Sequence, residues 1–242
     1  MFNFFKKSKT VSDISWLGID IHSHILPGID DGAKEIEQSI HYIKSMQELG
    51  FDKLYFTPHI FTELYPNTKD TILPALKEVH AQLPDENSTM VGGAAAEYMI
   101  DYSFKVEDDL LTLPGNYLLI EMSYLSETPN IEQVIFDLQI KGYHIVLAHP
   151  ERYNFYHKTL ERYVRLKEMG CIFQLNLLSV VGYYGKEVKN AADYLLAKKL
   201  YDVAGTDLHH DKHLSLLTNV VRNGQLYNQI GNYEFQNKAL FG

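Results

Sequence analysis

Two histidines separated by one residue, His22 and His24, follow the apolar run 17–21 and precede the acidic pair Asp30 and Asp31. On a strand, residues i and i+2 point to the same side, so both imidazoles face one point in space. Imidazole is the commonest metal ligand in proteins, and carboxylates complete such sites. A packed core has no need for this pairing, so the pattern predicts a metal site.

The same arrangement recurs at the ends of other predicted strands. Short apolar stretches rich in β-branched or aromatic residues predict seven strands, at 17–22, 53–58, 90–97, 117–122, 144–148, 171–177 and 201–206. The sixth ends near Gln174 and Asn176, and the others end near histidine or carboxylate. With Asp31, the candidate metal ligands are His22, His24, Asp31, His59, Glu97, Glu121, His149, Asp207 and His209.

Segments with helical periodicity lie between most of these strands, and Gly50, Gly142 and Gly170 follow three of them, where helices commonly end. Alternation of strand and helix predicts parallel strands with helices outside, in the α/β class. A sevenfold alternation predicts a closed barrel, whose C-terminal rim would hold the site. We find no linker or repeat and expect one domain over 1–242, with a lead-in at 1–16 and a core of about 17–220.

Composition excludes several classes of protein. The formal net charge is −9, and no stripe of lysine and arginine is present, which argues against a nucleic-acid partner. No apolar run approaches 18 residues, so no membrane span is expected. The first residues do not resemble a secretory signal, and the single cysteine, Cys171, fits a reducing cytoplasm.

Structural roles compete with the proposed chemistry for several residues. The remaining histidines, His41, His80, His144, His157, His210 and His213, fall in helices or beside loops and are expected to be structural. Glu97 and Glu121 could each cap the following helix instead of binding metal. Cys171 is followed by an apolar strand and not by a phosphate-binding loop with an arginine, so we expect it to be a buried packing residue.

The run 20–32, Asp-Ile-His-Ser-His-Ile-Leu-Pro-Gly-Ile-Asp-Asp-Gly, resembles the first motif of the PHP (polymerase and histidinol phosphatase) superfamily. More narrowly, it resembles the bacterial protein-tyrosine phosphatases encoded with capsule and exopolysaccharide genes. Thr-Pro-His at 57–59, Glu97, Glu121, His-Pro-Glu-Arg-Tyr at 149–153 and Gly-Thr-Asp-Leu-His at 205–209 resemble the later motifs, in order. The resemblance covers about 17–220.

This resemblance implies a distorted, TIM-like (β/α)7 barrel with three divalent metal ions, most often Mn²⁺ and sometimes Fe, Zn or Mg. It implies that one metal is held by His22, His24, Glu121 and Asp207, a second by Glu97 or Glu121 with His149, and a third by Asp31, His59 and His209. The last motif, Thr-Asp-Leu-His-His, and the sixth strand depart from the family pattern. Neither departure removes a ligand, so they bear on substrate choice.

The implied reaction is hydrolysis of phosphotyrosine by a metal-activated hydroxide, without a covalent intermediate. Arg152, three residues after His149, is a candidate substrate-binding and catalytic residue because its planar fork fits phosphate oxygens; an ion pair with Glu151 or another surface acid is the alternative. Asp207 could also orient the attacking water. Six aromatic residues near the predicted rim could contact the substrate ring: Phe61, Tyr65, Tyr124, Tyr153, Tyr183 and Tyr184.

The partner implied by the resemblance is a phosphotyrosine protein, namely a bacterial tyrosine kinase that regulates polysaccharide export. The alternatives are a phosphatase for a small phosphomonoester such as histidinol phosphate, a phosphodiesterase, and a regulatory module that binds without turnover. Negative charge disfavours the phosphodiesterase, and a complete ligand set disfavours the binding module. The sequence predicts no oligomeric state.

Overall fold

The computed structural model describes residues 11–242. In this range the chain forms nine strands: β1 (Ile19–Asp20), β2 (Lys53–Phe56), β3 (His59–Ile60), β4 (Val91–Ala94), β5 (Glu97–Met99), β6 (Tyr117–Glu121), β7 (His144–Ala148), β8 (Ile172–Asn176) and β9 (Val203–Gly205). It also forms eight α-helices: α1 (Ile36–Leu49), α2 (Lys69–Gln82), α3 (Ile131–Ile140), α4 (Glu161–Glu168), α5 (Lys186–Ala197), α6 (Asp211–Arg222), α7 (Gln225–Ile230) and α8 (Asn237–Phe241).

Each predicted strand contains observed strand structure, but the third is split into β4 and β5, and the short β3 begins just beyond the end of the second, predicted at 53–58. β2 ends at Phe56 and β3 begins at His59, with Pro58 between them. Proline has no backbone N–H to donate to a neighbouring strand, so it interrupts pairing there. The predicted helix ends are confirmed at Gly50, Gly142 and Gly170, which all adopt the left-handed backbone with φ values of 105°, 89° and 86°.

All strand pairs are parallel, and they form two sheets with the orders β1-β2-β4 and β3-β5-β6-β7-β8-β9. The mixed α/β class with parallel strands is therefore confirmed, whereas the described residues contain no continuous closed sheet. A backbone bond nevertheless links the segment after β9, in the second sheet, to the segment after β1, in the first: Asp207 N donates to His22 O at 2.8 Å.

Both faces of the second sheet are buried, by different partners. Ile145 and Leu147 belong to the main core cluster, with the buried faces of the helices, whereas the alternate residues Val146 and Ala148 belong to a smaller cluster. This inner cluster also contains Ile19 and other residues of the first sheet. Continuous apolar strands are expected when both faces of a parallel sheet are covered.

The C-terminal segment covers the N-terminal ends of the strands. The Asn237 side chain accepts a hydrogen bond from Ala204 N at 3.0 Å and donates one to Ile19 O at 2.9 Å, so it links β9 to β1. Phe241 is buried in the inner cluster. At the other end of the chain, the predicted lead-in lies partly outside the described residues, but Ile14 is fully buried. Between residues 11 and 242, no helix has the length and apolar character needed to cross a bilayer.

Candidate metal centre

Six of the nine candidate ligands lie at or just beyond the C-terminal ends of strands; His59 and Glu97 begin β3 and β5, just after β2 and β4 end, and Asp31 lies in the segment between β1 and α1. We call this end of the strands the mouth. Backbone bonds interlock the first and last ligand segments: Asp207 N donates to His22 O at 2.8 Å, and His24 N donates to Leu208 O at 2.9 Å. Below them, the buried Asp20 carboxylate accepts bonds from Thr206 N and Oγ1 at 2.8 and 2.6 Å. The rigid strand ends thus fix the spacing of the ligands.

His22, His24, Glu97 and Asp207 form a first cluster that is buried from solvent. The Nε2 atoms of His22 and His24 lie 3.2 Å apart. Glu97 Oε2 lies 3.2 Å from His22 Nε2, and Asp207 Oδ1 lies 3.4 Å from it. Two imidazoles and two carboxylates therefore converge on one point.

Two further clusters share members with the first one. His24, Asp31, His59 and His209 form the second, in which Asp31 Oδ1 lies 3.5 Å from the Nε2 atoms of both His59 and His209. His59, Glu97 and Glu121 form the third, with His59 Nδ1 3.2 Å from Glu97 Oε2 and 3.1 Å from Glu121 Oε1. The three clusters share His24, His59 and Glu97, so their eight residues form one connected group.

The ninth candidate ligand, His149, reaches the clusters through Glu97, whose Oε1 lies 3.1 Å from His149 Nε2. The grouping differs from the expected one at the glutamates, because Glu97 and not Glu121 lies with His22 and His24. Strand order explains the difference. β5 precedes β6 in the order of the second sheet, so Glu97 is one strand nearer to the histidines that follow β1.

The donor set fits divalent metal ions. Glu97 Oε2, His59 Nδ1 and His149 Nδ1 are buried and make no hydrogen bond, and buried polar atoms without a partner are rare in native proteins. Burial opposes ionisation of Glu97, but the neighbouring His22 and the hydrogen bonds from His149 hold its pKa well below the usual range. Nitrogen and oxygen donors without thiolates suit Mn²⁺, Fe²⁺, Zn²⁺ or Mg²⁺.

Residues behind the candidate ligands orient them. Asp30 Oδ2 lies 2.8 Å from His24 Nδ1, and Gln174 Oε1 lies 3.1 Å from His22 Nδ1. A partner on Nδ1 leaves Nε2 unprotonated and free to bind a metal. The sequence predicts no separate role for Asp30 or Gln174. Asp30 is marked only by its place beside Asp31, and Gln174 only by being a polar side chain in an apolar strand.

Arg152 faces the mouth but forms a different ion pair from the one weighed above. Its Nη1 donates to Asp207 Oδ2 at 2.6 Å, and its guanidinium carbon lies 4.7 Å from the Tyr124 ring centroid and 4.2 Å from that of Tyr184. Glu151 is instead fully buried and accepts a bond from Tyr201 Oη at 2.8 Å. Asp207 therefore turns one oxygen toward the histidines and the other toward Arg152.

A cavity of about 420 Å³ opens above the clusters, and we call it the mouth cavity. Three of the six aromatic candidates, Phe61, Tyr65 and Tyr124, line it. Tyr184 lies against Arg152 and Tyr183 against His213, whereas Tyr153 is fully buried and its hydroxyl donates to Ala148 O at 3.1 Å. The cavity thus has an aromatic wall beside a cation.

Two of the candidate ligands have unfavourable backbone conformations. His149 has φ 33° and Asp207 has φ 53°, in the left-handed region that residues other than glycine seldom adopt. Such conformations cluster at functional sites, where the side chain is needed in a place that an unstrained backbone would not give it. Cys171, by contrast, is buried among the core residues, as predicted, and burial raises the pKa of its thiol to about 12.

Comparison with known proteins agrees with this geometry. The family model described as capsular polysaccharide synthesis, CpsB/CapC, matches residues 18–217. The chain belongs to the CpsB/CapC family. This confirms the resemblance to the phosphatases encoded with capsule genes, and the matched range contains every candidate ligand.

Relatives in the CpsB/CapC family carry the same kind of name. The tyrosine-protein phosphatase YwqE of Bacillus subtilis is 32% identical over 200 residues, 80% of this chain and 78% of the relative. The tyrosine-protein phosphatase CpsB of Streptococcus agalactiae is 27% identical over 201 residues, 79% of this chain and 83% of the relative. A solved structure, from work on YwqE and on CpsB of Streptococcus pneumoniae as unique metal-dependent tyrosine phosphatases, matches with TM-score 0.77 and 29% identity, covering 92% of this chain and 90% of the other.

Proposed function

We propose that this protein is a metal-dependent protein-tyrosine phosphatase. The observation that carries the proposal is the convergence of the three overlapping nitrogen and oxygen clusters below a cavity that also holds Arg152. The names of the relatives support the substrate, since they are called tyrosine-protein phosphatases. The same names disfavour histidinol phosphate as the substrate.

Within this proposal, the nine candidate ligands hold three divalent ions, with Mn²⁺ as the expected metal. The first cluster, the second cluster, and the third cluster with His149 would each contribute to one ion. When bound, such ions supply Lewis acidity that lowers the pKa of water and neutralises phosphate charge. The absence of thiolate from the set and the burial of Cys171 in the core agree with hydrolysis that uses no cysteine nucleophile.

The protein's own side chains provide substrate recognition. Arg152 is held by Asp207 and by the faces of two tyrosines, so its guanidinium is already oriented toward the cavity and can bind phosphate oxygens without a large loss of side-chain entropy. Tyr65 and Tyr124 are positioned to contact an aromatic ring. A tyrosyl leaving group, with a pKa of about 10, needs less help from a general acid than an alkyl alcohol. Asp207 as orienter of water stays a prediction.

We further propose that the two sheets form one interrupted (β/α)7 barrel and that 1–242 is one domain. The inner cluster supports this, because it joins residues of both sheets, and the parallel bridge between Ser23 and Leu208 supports closure between the first and last strands. The proposed partner is a phosphotyrosine protein, in particular a bacterial tyrosine kinase of polysaccharide export. The proposed location is the cytoplasm.

The test compares turnover of a phosphotyrosyl peptide with turnover of histidinol phosphate, in Mn²⁺ and again in EDTA. Peptide hydrolysis that far exceeds hydrolysis of the small substrate and is lost on chelation is the expected result. His22→Gln should abolish turnover, whereas His144→Gln, at the exposed N-terminal end of β7, should retain it. Preference for histidinol phosphate would overturn the substrate, and activity that persists in EDTA would overturn the metal chemistry.

A further inference from the structure

Exposed apolar side chains are concentrated around the mouth. Of the eight large hydrophobic residues that are well exposed between residues 11 and 242, four lie in the loops that follow β3, β5 and β6: Leu64, Tyr102, Tyr124 and Leu125. Leu125 is 92% exposed. Exposed apolar groups clustered beside a binding cavity are typical of a surface that contacts a larger partner.

A second cavity of about 520 Å³ adjoins the mouth cavity, and we call it the side pocket. Leu125 lines both cavities and so stands at the boundary between them. The inner wall of the side pocket is aromatic, because the rings of Phe155 and Tyr156 pack edge to face with their centroids 4.5 Å apart. The pocket therefore offers an apolar surface directly next to the proposed phosphotyrosine site.

The two arginines that line the side pocket, Arg162 and Arg165, are already paired with carboxylates. Arg162 Nε donates to Glu127 Oε1 at 2.8 Å, and Arg165 Nη2 donates to Glu132 Oε2 at 2.8 Å. Arg162 also bonds to Glu132. An acidic side chain would have to displace these partners, whereas an apolar side chain would only cover Leu125 and Phe155. The pairing thus favours an apolar occupant.

We propose that the side pocket binds an apolar side chain of the substrate polypeptide that lies within a few residues of the phosphotyrosine. The proposal rests on the proposed function, since it takes the phosphotyrosine to occupy the mouth cavity. Because Leu125 lines both cavities and an extended chain advances about 3.3 Å per residue, a segment that leaves the mouth cavity over Leu125 would enter the side pocket within a few residues. The pocket would make the enzyme selective among phosphotyrosine sites.

The test measures kcat/KM in Mn²⁺ for phosphotyrosyl peptides in which one leucine is moved through the three positions on either side, in an otherwise Ser/Gly background. One leucine position should raise kcat/KM by about tenfold, as expected for burial of an aliphatic side chain with part of the gain lost to ordering. p-Nitrophenyl phosphate, which cannot reach the pocket, reports on the mouth cavity alone.

Thr159→Trp places a large side chain at an exposed position that lines the side pocket, so it should remove the leucine preference and leave p-nitrophenyl phosphate turnover unchanged. Lys158→Trp, at the exposed neighbouring position, is the matched control and should keep the preference.

Equal turnover of all peptides, or a preference for an acidic flanking residue, would overturn the inference. If p-nitrophenyl phosphate turnover is normal in that case, the proposed function still stands. The leucine preference could survive in Thr159→Trp while light scattering shows that this variant has lost self-association. The side pocket would then mediate contacts between copies of this chain, and the inference would be overturned. Failure to hydrolyse any of these substrates would overturn both.

Discussion

The two ends of the strands bury polar groups in opposite ways. At the N-terminal ends, the fully buried side chain of Asn237 bonds to backbone groups of β1 and β9 through both its amide oxygen and its amide nitrogen. At the mouth, buried atoms of Glu97, His59 and His149 make no hydrogen bond, and carboxylates lie against several imidazoles at once. The contacts of Asn237 are complete within the protein and serve stability. The mouth leaves buried donors and acceptors open, as expected of a binding site at the C-terminal ends of parallel strands.

The aspartates that flank β9 allow the same substitution to be made at both ends. Asp207→Asn removes a buried negative charge that faces His22, His24 and His209, so we expect kcat/KM to fall by at least about a thousandfold. Asp202→Asn, which removes the charge that faces Lys167, should leave kcat/KM unchanged. The measurement is steady-state turnover of a phosphotyrosyl peptide. If kcat/KM fell equally in both variants, the C-terminal ends of the strands would not differ in function from the N-terminal ends.

Truncation of the inner cluster should have the converse effect. Phe241 is 2% exposed, and Phe241→Ala should lower the free energy of unfolding by about 3–5 kcal/mol, because it deletes a ring from a packed core. Activity measured well below the unfolding transition should be retained. Phe136→Ala, at an exposed position of α3, is the control and should cost less than about 0.5 kcal/mol in a urea titration. Loss of activity without loss of stability in Phe241→Ala would contradict the comparison.

Removal of a partner behind a ligand should have a smaller effect than removal of the ligand. Asp30→Asn removes the carboxylate charge beside His24 Nδ1, and its amide nitrogen would have to face either His24 or the backbone N–H of Gly32, each of which has an acceptor in the unmodified protein. We expect Mn²⁺ affinity to fall by about 10–100-fold, measured by isothermal titration calorimetry. Asp70→Asn, at an exposed position in the first turn of α2, should bind Mn²⁺ as the unmodified protein does. Unchanged affinity in Asp30→Asn would mean that Asp30 does not orient His24.

The smallest expected effect lies at the edge of the side pocket, away from the metal clusters. Hydrogen bonds from Arg165 and Arg162 lower the pKa of Glu132 from 4.5 to about 2. Because the folded pKa is below the unfolded one, this stabilisation is present above about pH 4.5 and is lost as the pH falls toward 2. The melting temperature of Glu132→Gln should therefore lie slightly below that of the unmodified protein at pH 6 and converge with it near pH 2. Glu37→Gln, at an exposed position of α1, should show no such convergence.

The sequence predicted which residues would meet at the mouth, because the C-terminal ends of parallel strands lie on one edge whatever the loops do. It could not predict their grouping. Whether Glu97 or Glu121 lies with His22 depends on strand order and register, which no local pattern encodes. The adjacent residues Asp30 and Asp31 illustrate the same limit: Asp30 turns inward to His24, whereas the half-exposed Asp31 faces His59 and His209.

The interruptions of the sheet and the role of the C-terminal helix were also beyond sequence reasoning. Pro58 predicts a weak point in a strand, but the resumption of pairing at His59 requires the neighbouring Glu97 strand to be in place. Phe241 follows a segment with no strand or motif signal, yet its ring fills the inner cluster. Contacts between distant parts of the chain determine both features.

His149 and Asp207 both have a left-handed backbone. At these positions, selection for heat resistance and selection for activity would therefore act in opposite directions. Glycine at residue 149 would relieve the backbone strain and remove a buried imidazole nitrogen that has no hydrogen-bond partner, and both changes favour the folded state. A directed-evolution screen that scored only thermal tolerance would therefore enrich substitutions that destroy the catalyst. Library design for this protein should hold both positions fixed.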